Sequence, residues 1–98
     1  IKLHPYSVKY PFDFEEEHLS RLAQELSKTY SCSVIYGGNP YFVANLCDYQ
    51  DGSSFGLTIL GNIVTVIPML RATPYALWKL TNKLQELIGE GETLDIIR

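Results

Sequence analysis

The chain has 98 residues, a hydrophobic fraction of 46%, and eight basic against eleven acidic residues for a net charge of −3. That length suits one domain with a core of its own, above the range that needs disulfide or metal staples. A pI near 5.2 disfavours a nucleic-acid module, whose affinity rests on neutralising phosphates with a basic excess.

The opening stretch, 1–12, alternates on two faces that change over at Pro5. Ile1 and Leu3 share one parity; Tyr6, Val8, Tyr10 and Phe12 share the other. It reads as a strand bent at the proline and placed at a sheet edge. Asp13 is the expected cap of a first helix, with Glu16 three residues on as in a capping box. Leu19, Leu22, Ala23, Leu26 and Tyr30 follow at helical spacing as one apolar stripe. Glu17 and Arg21 sit four apart on the outer side, and the helix is expected to end near 29–31.

Strands are predicted at 32–36, 41–49, 55–60 and 63–67. Gly37-Gly38-Asn39-Pro40 reads as the first connecting loop, Asp51-Gly52-Ser53 as the second, and Gly61-Asn62 as a two-residue type II′ hairpin turn. Short connections imply antiparallel neighbours, hence a four-stranded meander. A second helix opens with Thr73 as cap and Pro74 in its first turn. Leu77, Leu80, Leu84, Leu87 and Ile88 line its buried face, and Gly89 and Gly91 end it. Leu94, Ile96 and Ile97 leave room for a short last strand.

The fold class is therefore α+β: a two-layer sandwich with both helices on one face of an antiparallel sheet, in a single domain over 1–98. By topology alone, without a shared motif, this order resembles one half of the TATA-binding-protein fold and a shortened helix-grip fold. The first resemblance implies a curved sheet that binds nucleic acid, which is the alternative functional reading. A shared fold does not carry a shared function.

Chemistry is sparse. His18, beside Glu15 and Glu17, reads as an exposed helix residue, and His4 precedes a proline; neither forms a metal pair with the other. Glu15, Glu16 and Glu17 suit the positive end of a helix. Asp48 and Asp51 suit turns and lack calcium-loop spacing. Cys32 and Cys47 are expected on one sheet face, a diagonal step of about 7–8 Å apart, too far for an unstrained disulfide. So few cysteines point to a reducing, cytoplasmic setting. No phosphate loop, nucleophile elbow or zinc-protease motif occurs, so no catalytic, cofactor or metal site is assigned and an enzyme ranks last. The longest apolar run, 59–70, is broken by Gly61, Asn62 and Pro68 and falls short of a membrane span. The start lacks a signal-peptide layout, and Ile1 in place of methionine reads as a processed product or an excised domain.

Two surfaces suggest binding. With Leu77 as the centre of the buried face, Trp78 lies about 100° around the second helix and Tyr75 about 160°, with Asn82 between them. A tryptophan beside a tyrosine is the composition of an interface anchor. The other surface is the tyrosine-rich hairpin, where Tyr36, Tyr41, Phe42 and Tyr49 are expected to cluster. The segment 32–70 holds no lysine or arginine, which favours a protein partner over bases stacked on those rings. Arg71, Lys79 and Lys83 form the one basic grouping and read as a solvated helix edge. The expected function is a non-catalytic protein-interaction domain of inhibitor, immunity or adaptor type, with no membrane role and with self-association left open.

Overall fold

The computed structural model describes residues 3–38 and 41–94, with the backbone alone described at 6, 35–38, 41, 92 and 93. In chain order the elements are β1 (Tyr6–Lys9), α1 (Glu16–Leu26), β2 (Tyr30–Gly38), β3 (Tyr41–Asp48), β4 (Ser54–Leu60), β5 (Ile63–Pro68), α2 (Pro74–Ile88) and β6 (Glu92–Leu94). The strands make one sheet in the order β2-β3-β4-β5-β1-β6, antiparallel at every step. Directions therefore alternate across it. β1 is parallel to the distant β2, and β5 is parallel to β6, so α1 and α2 are both crossover connections.

The layering follows from which side chains the strands turn inward. Phe42, Ala44 and Leu46 of β3, Phe55, Leu57 and Ile59 of β4, and Val64 and Val66 of β5 are all buried. The register sets Phe42 opposite Ile59, and Ile59 opposite Val64, so these residues share one face. Leu19, Leu22 and Leu26 of α1 and Ala76, Leu80 and Leu84 of α2 join them in one core cluster. The α+β sandwich with both helices on one face is the fold the patterning predicts.

Several local readings change. β1 begins at Tyr6, and Pro11, which has no N–H to donate, lies just beyond its end. It is not an edge strand, because β6 pairs along its free side, Ser7 with Leu94 and Lys9 with Glu92. Positions 1, 96 and 97, placed in strands by their pattern, lie outside the described residues, as does Asn39-Pro40.

α1 is capped by Glu15 rather than Asp13. The physical reason is Phe14, whose ring is buried against Tyr10 at 5.3 Å. Drawing Phe14 inward sets Asp13 beside the β4–β5 turn, where Phe14 N–H donates to Gly61 O at 3.0 Å. The helix ends at Leu26, and Tyr30, predicted to extend its stripe, is instead the first residue of β2 and almost wholly buried.

β2 continues through Gly37 and Gly38, which pattern reading assigns to a loop. Gly38 pairs with Tyr41, Tyr36 with Val43 and Val34 with Ala44, with a bulge between Val34 and Tyr36. Pairing of Gly38 with Tyr41 moves the register by two residues from the expected one and the bulge moves it back by one, so Cys32 faces Leu46 rather than Asn45. The predicted two-residue turn is present: Leu60 pairs with Ile63, and Gly61 has φ +65°. Thr73 Oγ1 caps α2 by accepting the Ala76 N–H at 3.0 Å, and Gly89 closes the helix at φ +81°.

Candidate functional site

The buried stripe of α2 runs through Ala76, Leu80 and Leu84, with Leu77 only partly buried. Centred on Leu80, the helix places Tyr75, Trp78 and Asn82 about 140–160° around, on its outer side. Trp78 is 57% exposed and Tyr75 64%. Their rings lie 5.8 Å apart and inclined by 30°. Asn82 is partly exposed beside them. The structure thus brings these three predicted residues onto one surface and leaves the two rings uncovered by any described segment.

Trp78 also overhangs a groove of about 420 Å³ between α2 and the sheet. Val8, Val64 and Val66 form its floor, and Leu77, Thr81 and Leu84 form the helix wall. On the opposite flank of the tryptophan, Lys79, Asn82 and Lys83 line a shallower hollow that reaches Thr29.

The contact that holds this helix in place was not legible in the sequence. Lys79 Nζ lies 2.7 Å from Oδ2 of Asp48, a carboxylate only 3% exposed at the end of β3. Asp48 Oδ1 accepts the backbone N–H groups of Gln50 at 2.7 Å and Asp51 at 3.3 Å. Burial by itself would raise the Asp48 carboxyl. The Lys79 ammonium and the two amides outweigh that and hold it below the ordinary carboxylate value. The same hydrogen bond raises the Lys79 amine. Lys79 is therefore not the solvated edge residue that its sequence neighbours suggest. It ties α2 to the β3–β4 turn, whose second acid, Asp51, accepts Ser53 N–H and Oγ–H at 2.8 and 2.7 Å. Tyr30, paired with Asp48 across β2–β3, buries a hydroxyl that has no hydrogen-bond partner among the described residues. Burial, then the charges of Asp48 and Asp51, push its pKa up to about 12.

The hairpin tyrosines do not form one cluster. Tyr41 opens β3 and Tyr49 follows its end, a separation of about 26 Å along an extended strand. Tyr49 is 64% exposed, and its N–H donates to Thr29 O at 3.2 Å. Phe42 is buried in the core. The side chains of Tyr36 and Tyr41 lie outside the described residues. Alternation across a register-shifted hairpin, with the tyrosines at its two ends, defeats a grouping made by sequence proximity alone.

His18 serves the fold, since its Nδ1 accepts the Glu15 N–H at 3.1 Å and helps cap α1. Among the described residues no three of the histidines, cysteines and acids gather as a metal-holding group. Cys32 and Cys47 lie on opposite faces, since Cys32 pairs with buried Leu46 while Cys47 pairs with Ser54. Burial raises the Cys32 thiol, and Cys47 is exposed. In the native protein, iodoacetamide is expected to modify Cys47 fully before Cys32 reacts, as mass spectrometry of timed digests would show. Equal rates would contradict this placement.

No protein-family model, curated protein or solved structure matches the chain. Its functional reading therefore rests on its fold and its surface. No helix among the described residues is long and apolar enough to cross a membrane.

Proposed function

We propose that this domain is a non-catalytic protein-interaction module that binds a protein partner through the outer side of α2. Tyr75 and Trp78 are its anchors, with Asn82 at the rim. The observation that carries this reading is the adjacent, exposed aromatic pair on a helix whose other side buries Ala76, Leu80 and Leu84 in the core. Large rings held rigidly at a surface contribute contact area at small conformational cost, and interface hot spots are rich in them. The apolar groove beside Trp78 offers a partner side chain a place to insert.

The open sheet face supports a protein over a nucleic acid. Its described positions include Ser31, Ser33, Asn45, Thr58, Thr65 and Ile67, and Lys9 is the one lysine or arginine that the described strand register places there, a sparse basic flank for stacked bases. Two free thiols on opposite faces fit a reducing, cytoplasmic setting.

The test begins with a photo-crosslinking residue at Tyr75 and a control at Lys28, followed by mass spectrometry of the adducts. A discrete protein adduct at 75 and none at 28 is expected. Trp78→Ala is then expected to weaken binding of that protein by about 30-fold or more, as loss of a hot spot does. Unchanged affinity in both Trp78→Ala and Tyr75→Ala would overturn the reading.

A further inference from the structure

We propose, on the reading of α2 as a partner surface, that the partner presents two side chains to it, a large apolar one and a carboxylate. The two seat on opposite flanks of Trp78, the apolar one toward the sheet and the carboxylate against Lys83.

Trp78 stands as a ridge between two hollows of different character. On the sheet side lies the groove of about 420 Å³, floored by Val8, Val64 and Val66 and walled by Leu77 and Leu84. None of the residues that line it is charged. A charged side chain placed there would lose its hydration and gain no counter-charge. An aliphatic or aromatic one has no such cost and takes apolar surface out of water.

The other flank is a hollow of about 280 Å³ in which donors outnumber acceptors. Lys79 is committed to Asp48, 2.7 Å away. Lys83 has no such partner. Its nearest acid among the described residues is Glu86, at 4.0 Å, beyond hydrogen-bond length and with its own side chain 73% exposed. A pair of that kind contributes little. The Asn82 amide and the Thr29 hydroxyl line the same hollow, and neither side chain makes a hydrogen bond among the described residues.

Charge then selects the partner group. Positions 71–85 hold three basic residues and no acid, in a chain whose net charge is −3. A basic side chain entering the hollow would meet Lys83 with like charge. A neutral one would cover a partly buried ammonium and supply no counter-charge. A carboxylate accepts from the Lys83 ammonium and, having two oxygens, also from Asn82 or Thr29. The two hollows share Trp78 as a wall, so the acid and the apolar residue belong to one short segment of the partner.

The test selects a phage-displayed library of random peptides on the immobilised chain, with Trp78→Ala as the counter-selection. Enriched peptides are expected to share an acidic residue at fixed spacing from a large apolar one. Lys83→Glu is expected to weaken the synthesised peptides by about tenfold, with a urea midpoint close to that of the wild type. A lysine in place of the peptide's acid should restore binding to that variant, and alanine in place of its apolar residue should weaken binding to the wild type. Enriched peptides that lack an acid, or that bind Lys83→Glu as well as the wild type, would overturn this inference and leave α2 as the partner surface. If no peptide prefers the wild type to Trp78→Ala, both readings fall. Self-association of the free chain that Trp78→Ala abolishes would seat a second copy there and also overturn the proposal.

Discussion

Lys79→Met is expected to destabilise the domain by about 3 kcal/mol, the low end of the range for removing one member of a buried ion pair. The Asp48 carboxylate would remain in place, 3% exposed, with two backbone amides as its remaining partners. The low end applies because the Lys79 side chain is itself 29% exposed, so water can approach part of the vacated space. Asp48→Asn in the Lys79→Met background should recover much of the loss, since a neutral amide there needs no counter-charge. Urea unfolding of the two single variants and the double variant measures the coupling. A loss below about 0.5 kcal/mol for Lys79→Met would place this pair among ordinary surface bridges.

The same contact fixes the sign of the pH dependence. Asp48 titrates lower in the fold than in the open chain. Its contribution is therefore complete above the ordinary carboxylate value and is lost as pH falls through that value toward its folded one. Lys79 titrates higher in the fold, so its contribution is complete below the ordinary lysine value and is lost as pH rises beyond it. Tyr30 acts in the same direction, between its ordinary 10.0 and about 12. Chemical denaturation of the wild type should show both limbs, and the double variant should have a shallower acid limb.

Fold class was legible because its signals are local and repeated. The stripes of α1 and α2, the Thr73-Pro74 start and the Gly61-Asn62 turn each need only neighbouring residues to be read. The features that the pattern missed depend on contacts distant in sequence. Phe14 enters the core because Tyr10 and the β4–β5 turn receive it, and this moves the cap from Asp13 to Glu15. The β2 bulge exchanges the faces expected of Cys32 and its neighbours, and alternation cannot reveal where one extra residue will be absorbed. The bond between Lys79 and Asp48 joins segments with no common motif, so composition gave no sign that this lysine is held. The aromatic pair was visible as residue types, but its exposure depended on whether Leu77 or Leu80 centres the buried stripe.

That rotation of α2 is open to direct measurement. Leu80→Ala is expected to cost about 3 kcal/mol, within the range for a leucine truncated in a packed core, because Leu80 is fully buried between the sheet and the helix. Trp78→Ala, two residues away, should cost less than about 1 kcal/mol, since more than half of the indole already meets solvent. Neither substitution introduces glycine or proline, so intrinsic helix propensity contributes little to the contrast. Comparing urea midpoints of the two variants separates the alternatives cleanly. If the tryptophan truncation were the costlier one, the helix would be turned with its rings against the strands. The surface proposed for partner binding would then be part of the core. A large loss at Leu80 with near-neutrality at Trp78 leaves the indole with no stabilising role in the isolated domain, and contact with another protein becomes the physical reason for so large an apolar ring in that position.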